Sequence, residues 1–295
     1  MSIKVNCPNC ASRFRLPDGA AARQLVRLRC RKCQKVFPAH GRGGEGLPRI
    51  LVAHPEGEVR LAVAEILVKA GYGYSATGTG KAALKQLHEQ EHVGVLVDCA
   101  LPQMFAFELI DHIRKDETLK DLKIVLLSSV YSKTAYKRSP SSLYGADDYI
   151  EKHHLIDRLL DKFQTLLADK HQASENILPS RTEQDEMNER LHESELKEVG
   201  QANEPCSEAQ ATRLARILVA DIALYYQEKV DEGVRNGNLR LLLSDQIAEG
   251  RRLLAERVPV ELLAQKDYFE LALVSMERRR KAELLEDDAN APKGG

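Results

Sequence analysis

The apolar positions of residues 49–168 follow two different periods along the chain. Short apolar runs predict buried strands, and longer stretches with apolar residues three and four apart predict amphipathic helices. The predicted strands are 50–53, 72–76, 93–97, 124–127 and 147–150, and the predicted helices are 58–70, 80–90, 105–116, 132–144 and 155–168. Five β–α units of this size predict an α/β fold with a five-stranded, parallel, doubly wound sheet and its chemistry at the carboxyl ends of the strands.

Residues beyond 206 show the helical period only. The stretch SEAQ, Ser207 to Gln210, is a capping box in front of apolar residues that recur on one helical face. The NGN triplet at 236–238 breaks this helix, and the sequence predicts a second helix at 239–257 and a third at 259–285. Three amphipathic helices of this size form a small bundle or pack against a partner, so we expect an all-α segment that can self-associate.

Composition and charge divide the chain into modules. Residues 1–48 carry ten basic and two acidic residues, a net charge of +8, whereas 169–206 carry four basic and ten acidic residues, a net charge of −6. Such blocks indicate separate modules joined by solvated linkers. We therefore divide the chain into 1–39, 40–48, 49–168, 169–206, 207–286 and 287–295, of which the second and fourth are linkers and the last is a disordered tail.

The sequence shows no segment suited to export or to crossing a membrane. Its longest apolar runs, such as 93–97, are far shorter than the roughly 20 residues that span a bilayer as a helix. No apolar segment follows the first Met, so we expect no secretory signal. We therefore predict a cytoplasmic protein whose six cysteines stay reduced and free to bind metal.

Two CxxC pairs lie near the start of the chain. They are CPNC, from Cys7 to Cys10, and CRKC, from Cys30 to Cys33, separated by nineteen residues. Each pair can aim two thiolates at one ion, and together they complete a tetrahedral shell with no open position, which predicts a structural Zn²⁺ rather than a catalytic one. The stretch 1–38 resembles the small zinc-ribbon domain found at the N-termini of bacterial proteins, sometimes called the MJ-type zinc finger.

The basic charge of this segment raises nucleic-acid binding as an alternative. Two facts weigh against it. Four thiolates around Zn²⁺ carry a net charge of −2 that nearby Arg and Lys offset, and no recognition helix is readable between the CxxC pairs.

The middle of the chain resembles the response-regulator receiver domain. The third predicted strand ends at Asp98, which is followed by CALPQM; the fourth ends at Ser128; and GADDYIEKHHL contains Tyr149 and Lys152. The resemblance covers roughly 49–168. It implies that Asp98 is the equivalent of the phosphoacceptor, that Ser128 and Tyr149 are the switch residues, and that Lys152 binds the phosphoryl group.

The sequence departs from receivers where they place two acids after the first strand to hold Mg²⁺. His54 and Pro55 occupy these positions. Neutral imidazole is a poor ligand for the oxygen-seeking Mg²⁺ and proline offers none, so Mg²⁺ binding is in doubt. Glu56 is expected to turn outward at the helix start. His153 and His154 follow Lys152, but adjacent side chains on a loop diverge, which argues against a metal site there.

These features predict a bacterial signal-transduction protein of the response-regulator class that is not an enzyme. Its degenerate receiver would bind other signalling proteins, including a histidine kinase, and no membrane. Two alternatives stay open. In the first, Asp98 accepts a phosphoryl group in a two-component phosphorelay, and in the second, the zinc ribbon makes the protein a nucleic-acid-binding regulator.

Overall fold

The computed structural model describes residues 4–16, 25–41, 46–128, 143–168 and 206–290. These residues fall into two compact units. One holds the described residues up to 128 together with 145–168, and the other holds 143, 144 and 206–290. Most of the helix predicted at 132–144, almost all of the predicted linker 169–206 and the last five residues of the predicted tail lie outside the described residues.

Two antiparallel hairpins form the N-terminal part of the first unit. Strand β1 (Lys4–Asn6) pairs with β2 (Arg13–Arg15), and β3 (Leu25–Arg29) pairs with β4 (Val36–His40). One CxxC pair lies in the connection of each hairpin. The hairpins therefore carry the four cysteines on two turns, as the spacing of the sequence predicts.

A five-stranded parallel sheet forms the larger part of this unit, in the order β6-β5-β7-β8-β9. Its strands are β5 (Arg49–Ala53), β6 (Gly73–Thr77), β7 (Gly94–Asp98), β8 (Lys123–Ser128) and β9 (Asp148–Glu151). Its helices are α1 (Gly57–Lys69), α2 (Gly80–Glu89), α3 (Ala106–Lys115) and α4 (Leu155–Leu167), with a 3₁₀ turn at Lys152–His154 before α4. The predicted bounds of these nine elements differ from the observed ones by no more than one residue, and the predicted fold class is confirmed.

Continuous apolar runs form the strands because the sheet is buried on both faces. Every residue of β7 is buried, and a core of aliphatic side chains from the strands, α1 and α4 covers one face. Gly94 begins β7 where α4 approaches most closely, since a Cβ there would lie 2.7 Å from Cε1 of Phe163. Because all five strands are parallel, their carboxyl ends lie at one edge of the sheet.

The ribbon and the sheet domain share a hydrophobic cluster. Leu61 of α1 packs with Cys7, Cys30 and Phe37 of the ribbon, and all four side chains are buried. The Tyr74 hydroxyl donates to the Pro38 carbonyl at 2.9 Å. The ribbon and the receiver, which the charge blocks indicated as separate modules, therefore share apolar contacts, because charge reports which faces meet solvent and not which apolar residues meet each other. The domain boundaries themselves stay predictions.

The second unit is helical. The described residues from 206 contain α5 (Glu208–Tyr225), α6 (Gln227–Asn236), α7 (Leu239–Leu242), α8 (Ser244–Ala255), α9 (Val260–Gln265) and α10 (Tyr268–Asn290). The prediction of three helices is wrong because each predicted helix contains a further break. The breaks lie at Tyr226 and Leu243, where no glycine or proline signals them, and at Lys266, whose backbone is extended.

The signals that the sequence did contain are confirmed. Gly237 ends α6 in the left-handed conformation, and Ser207 and Gln210 form the predicted capping box, with bonds of 2.7 and 3.3 Å. Among the described helices, none is both long and apolar enough to cross a bilayer.

Candidate functional site

The four cysteines of the ribbon converge on one point. The Sγ atoms of Cys7 and Cys33 are 3.7 Å apart, those of Cys10 and Cys30 are 3.5 Å apart, and all four lie within 4.8 Å of one another. A tetrahedral ion with Zn–S bonds of about 2.3 Å requires sulfur atoms about 3.8 Å apart. The cysteines therefore fit Zn²⁺, and a shell of four thiolates leaves no position for a substrate.

The two CxxC turns have the same backbone. Ala11 and Gln34, which follow the second cysteine of each pair, have φ angles of 56° and 61°. Their N–H groups donate to the carbonyls of Cys7 and Cys30 at 2.8 and 2.9 Å. A left-handed conformation costs a non-glycine residue about 1–3 kcal/mol, which metal binding offsets in a domain with a small core.

Hydrogen bonds prepare two of the thiols for metal. Burial opposes ionisation of Cys10, but hydrogen bonds with Ser12, Cys30 and Cys33 lower the pKa of its thiol to about 6. Burial also opposes ionisation of Cys33, while bonds that include the Asn9 side chain lower its pKa. Burial raises the pKa of Cys7 to about 12, so this thiol ionises only when a cation is bound.

The predicted receiver residues meet at the carboxyl edge of the sheet. Asp98 ends β7, Ser128 ends β8, Lys152 follows β9 and His54 follows β5, and all four are buried. Tyr149 is the second residue of β9 and is half-buried, with Nζ of Lys162 5.8 Å from its ring centroid. The topology thus brings together residues that are up to 98 positions apart in the chain.

His54 lies directly against Asp98. Its Nε2 atom is 3.2 Å from Oδ2 of Asp98 and 3.9 Å from Oε1 of Glu56. Neither contact has the geometry of a hydrogen bond. The Glu56 N–H donates to Nδ1 of His54 at 3.0 Å, so the proton of a neutral imidazole sits on Nε2 and faces the carboxylates. The Ala100 N–H donates to the other oxygen of Asp98 at 2.9 Å.

Glu56 points into the site, so the expectation that it turns outward is wrong. It precedes α1 in an extended conformation, is 9% exposed, and accepts a 3.0 Å bond from Nζ of Lys152. Helix α1 begins one residue later than Glu56, and the carboxylate is therefore placed by the strand-to-helix turn. The sequence signal that could have found it is an acid two residues after the strand-end histidine. Pro55, as expected, contributes no side-chain ligand.

His153 and His154 do not diverge as expected. Their ring centroids are 4.0 Å apart, and Nε2 of His153 lies 3.3 Å from Oε2 of Glu151. One ligand atom from each of these three residues lies within 4.8 Å of the other two. The expectation of divergence is wrong, because Lys152–His154 form a 3₁₀ turn in which the two rings lie close together.

Comparisons with known proteins agree with both domains. The family model for the response regulator receiver domain matches residues 50–164, and the model for a zinc-ribbon domain matches residues 4–38. A two-component response regulator of rice, ORR11 from Oryza sativa subsp. indica, is 28% identical over 37% of this chain and 74% of its own length. The response regulator ArlR of Staphylococcus saprophyticus is 26% identical over 45% of this chain and 57% of its own length.

Solved receiver structures also align with the chain. The response regulator protein TrrA of Thermotoga maritima, solved with Mg²⁺ and BeF, is 32% identical with a TM-score of 0.36 and covers 41% of this chain and 100% of its own. The receiver domain of the sensor histidine kinase PA1611 of Pseudomonas aeruginosa is 20% identical with a TM-score of 0.37 and covers 42% and 99%.

The parallel sheet, the residues at its carboxyl edge and the family match define residues 50–164 as a response-regulator receiver domain. A zinc ribbon with four converging cysteines precedes it. The chain therefore contains a response-regulator receiver domain, preceded by a zinc ribbon whose four cysteines fit a structural Zn²⁺ and followed by a helical segment.

Proposed function

We propose that the receiver of this protein is an interaction module and that Asp98 does not accept a phosphoryl group at an appreciable rate. The observation that carries the proposal is the position of His54, whose Nε2 lies 3.2 Å from Oδ2 of Asp98. The imidazole occupies the space beside the carboxylate in which a divalent ion would have to bind. The protein would then act by binding signalling partners and not as an enzyme.

Mg²⁺ requires near-octahedral oxygen ligands at about 2.0–2.1 Å, and phosphoryl transfer uses it to offset the charge on the phosphoryl oxygens. Here Asp98 faces a nitrogen, and the second carboxylate, Glu56, is bonded to Lys152. Binding Mg²⁺ would require moving the buried imidazole and breaking a buried ion pair. Lys152 thus already supplies a positive charge to this site.

The test is phosphoryl labelling of the full chain by acetyl phosphate with Mg²⁺. We expect no Asp98-dependent label on the natural protein. The variant His54→Asp with Pro55→Asp restores two carboxylates and serves as the positive control, because its label should appear and should vanish with Asp98→Asn. The alternative is a phosphorelay role, and it is favoured by the placement of Asp98, Ser128 and Lys152 at the same edge of the sheet. Strong labelling of the natural protein would establish this alternative if Asp98→Asn abolishes the label.

The expected setting is the cytoplasm, and the expected partners are other signalling proteins such as a histidine kinase. Nucleic-acid binding by the ribbon is a second candidate, favoured by the exposed Arg27, Arg29 and Arg31. A pull-down from native lysate with and without nuclease distinguishes the two. Partners that survive nuclease support the protein-interaction role, and their complete loss supports nucleic-acid binding.

A further inference from the structure

Arg60 of α1 connects the zinc ribbon to the loop that carries His54 and Glu56. Its guanidinium is buried and donates to four carbonyl oxygens. Two of these acceptors, Pro8 and Asn9, are the residues between the first pair of cysteines. The other two are His54 and Pro55, the latter at 2.7 Å. The planar fork of arginine can hold several fixed acceptors at once, which a lysine cannot do.

The ribbon also packs tightly against the start of α1, at Gly57. A Cβ on Gly57 would lie 1.7 Å from Oδ1 and 3.1 Å from the carbonyl oxygen of Asn9. The Asn9 side chain is itself bonded to the Cys33 thiol. The side chain of Asn9 therefore cannot move away from position 57 without losing its contact with a metal-binding sulfur.

We propose that zinc binding by the ribbon sets the conformation of the loop from His54 to Glu56 through Arg60, which makes Arg60 a positioning residue for the receiver site. Structural zinc supplies much of the folding free energy of such small domains, so the carbonyls of Pro8 and Asn9 are fixed only when zinc is bound. Without zinc, Arg60 loses two of its fixed acceptors. The loop then loses the constraint that holds His54 against Asp98 and Glu56 against Lys152.

This coupling does not depend on whether Asp98 accepts a phosphoryl group. By linkage, the native loop conformation must raise zinc affinity by the same factor by which zinc binding favours that conformation, so breaking the connection through Arg60 should weaken zinc binding. Coupled sites typically change each other's affinity by about 5- to 150-fold. The zinc site would thus have a second role beyond holding the ribbon together, because its occupancy would be transmitted to the carboxyl edge of the sheet.

The first test uses the natural full chain and hydrogen exchange with and without a zinc chelator. We expect zinc removal to speed amide exchange in residues 54–60 as well as in the ribbon, and to leave α4 unchanged. Unchanged exchange in 54–60, with the ribbon fully exchanged, would overturn the proposal. Equal loss of protection in α4 would also overturn it, because it would mean general unfolding and not transmission through Arg60.

The second test measures zinc affinity by chelator competition. Arg60→Lys keeps the charge but loses the fork, and Gly57→Ala places a methyl group against Asn9. We expect both to weaken zinc binding at least about fivefold, and the exposed Arg158→Lys to change it less than twofold. Protected β7 amides show that each variant remains folded. Zinc affinity within twofold of the natural protein for both folded variants would refute the role of Arg60.

Discussion

The buried pair of Glu56 and Lys152 gives the most quantitative test of the site. The two charged atoms are 3.0 Å apart, and the side chains are 7% and 5% exposed. At an effective dielectric constant of about 20 their attraction is about 5.5 kcal/mol, from which desolvation must be subtracted. Removing one partner of a buried pair costs about 3–5 kcal/mol, so Glu56→Gln, which keeps the shape, should lower the free energy of unfolding of the receiver by this amount.

The assay is hydrogen exchange of the β7 amides in increasing urea, which reports the receiver without interference from the helical unit. Glu89→Gln is the matched control, since Glu89 faces Lys85 at 3.7 Å with both side chains largely exposed, and it should cost less than about 1 kcal/mol. The double variant Glu56→Gln with Lys152→Met should recover most of the loss, because it removes both charges. A loss below about 1 kcal/mol for Glu56→Gln would refute the pairing as a source of stability.

Three other predictions concern separate parts of the molecule. Burial lowers the pKa of His92 from 6.5 to about 4, so the unfolded chain binds a proton that the folded one does not. Stability should therefore fall as pH drops from 6.5 towards 4, by no more than about 3.4 kcal/mol, and His92→Gln should flatten this dependence. Metal analysis of a reduced, chelator-free preparation should give one zinc per chain, and Cys33→Ser should give well below one. Sedimentation should show that the protein associates as its concentration rises, because the apolar side chains of Leu271 and Val274 are exposed on α10. The double variant Leu271→Glu with Val274→Glu should reduce this association, and a monomer at all concentrations would contradict the prediction.

The sequence determined the elements whose signals are local. Strands and helices of the receiver followed from apolar periods within windows of a few residues, and the zinc ligands followed from two cysteine pairs whose spacing already forms the metal-binding turns. Asp98, Ser128 and Lys152 could be placed at one edge because parallel strands align their carboxyl ends. The helical segment was divided incorrectly because the breaks at Tyr226 and Leu243 carry no local signal.

Only the tertiary structure decided what surrounds these residues. The inward turn of Glu56 depends on Lys152, which is 96 residues away in the chain. The contact of Arg60 with Pro8 joins residues 52 positions apart, across a charge boundary that indicated separate modules. Local patterns fix which residues lie in a strand or a turn, but the partner of a buried charge is set by how distant segments pack. The environment of Asp98 is therefore a property of the folded chain.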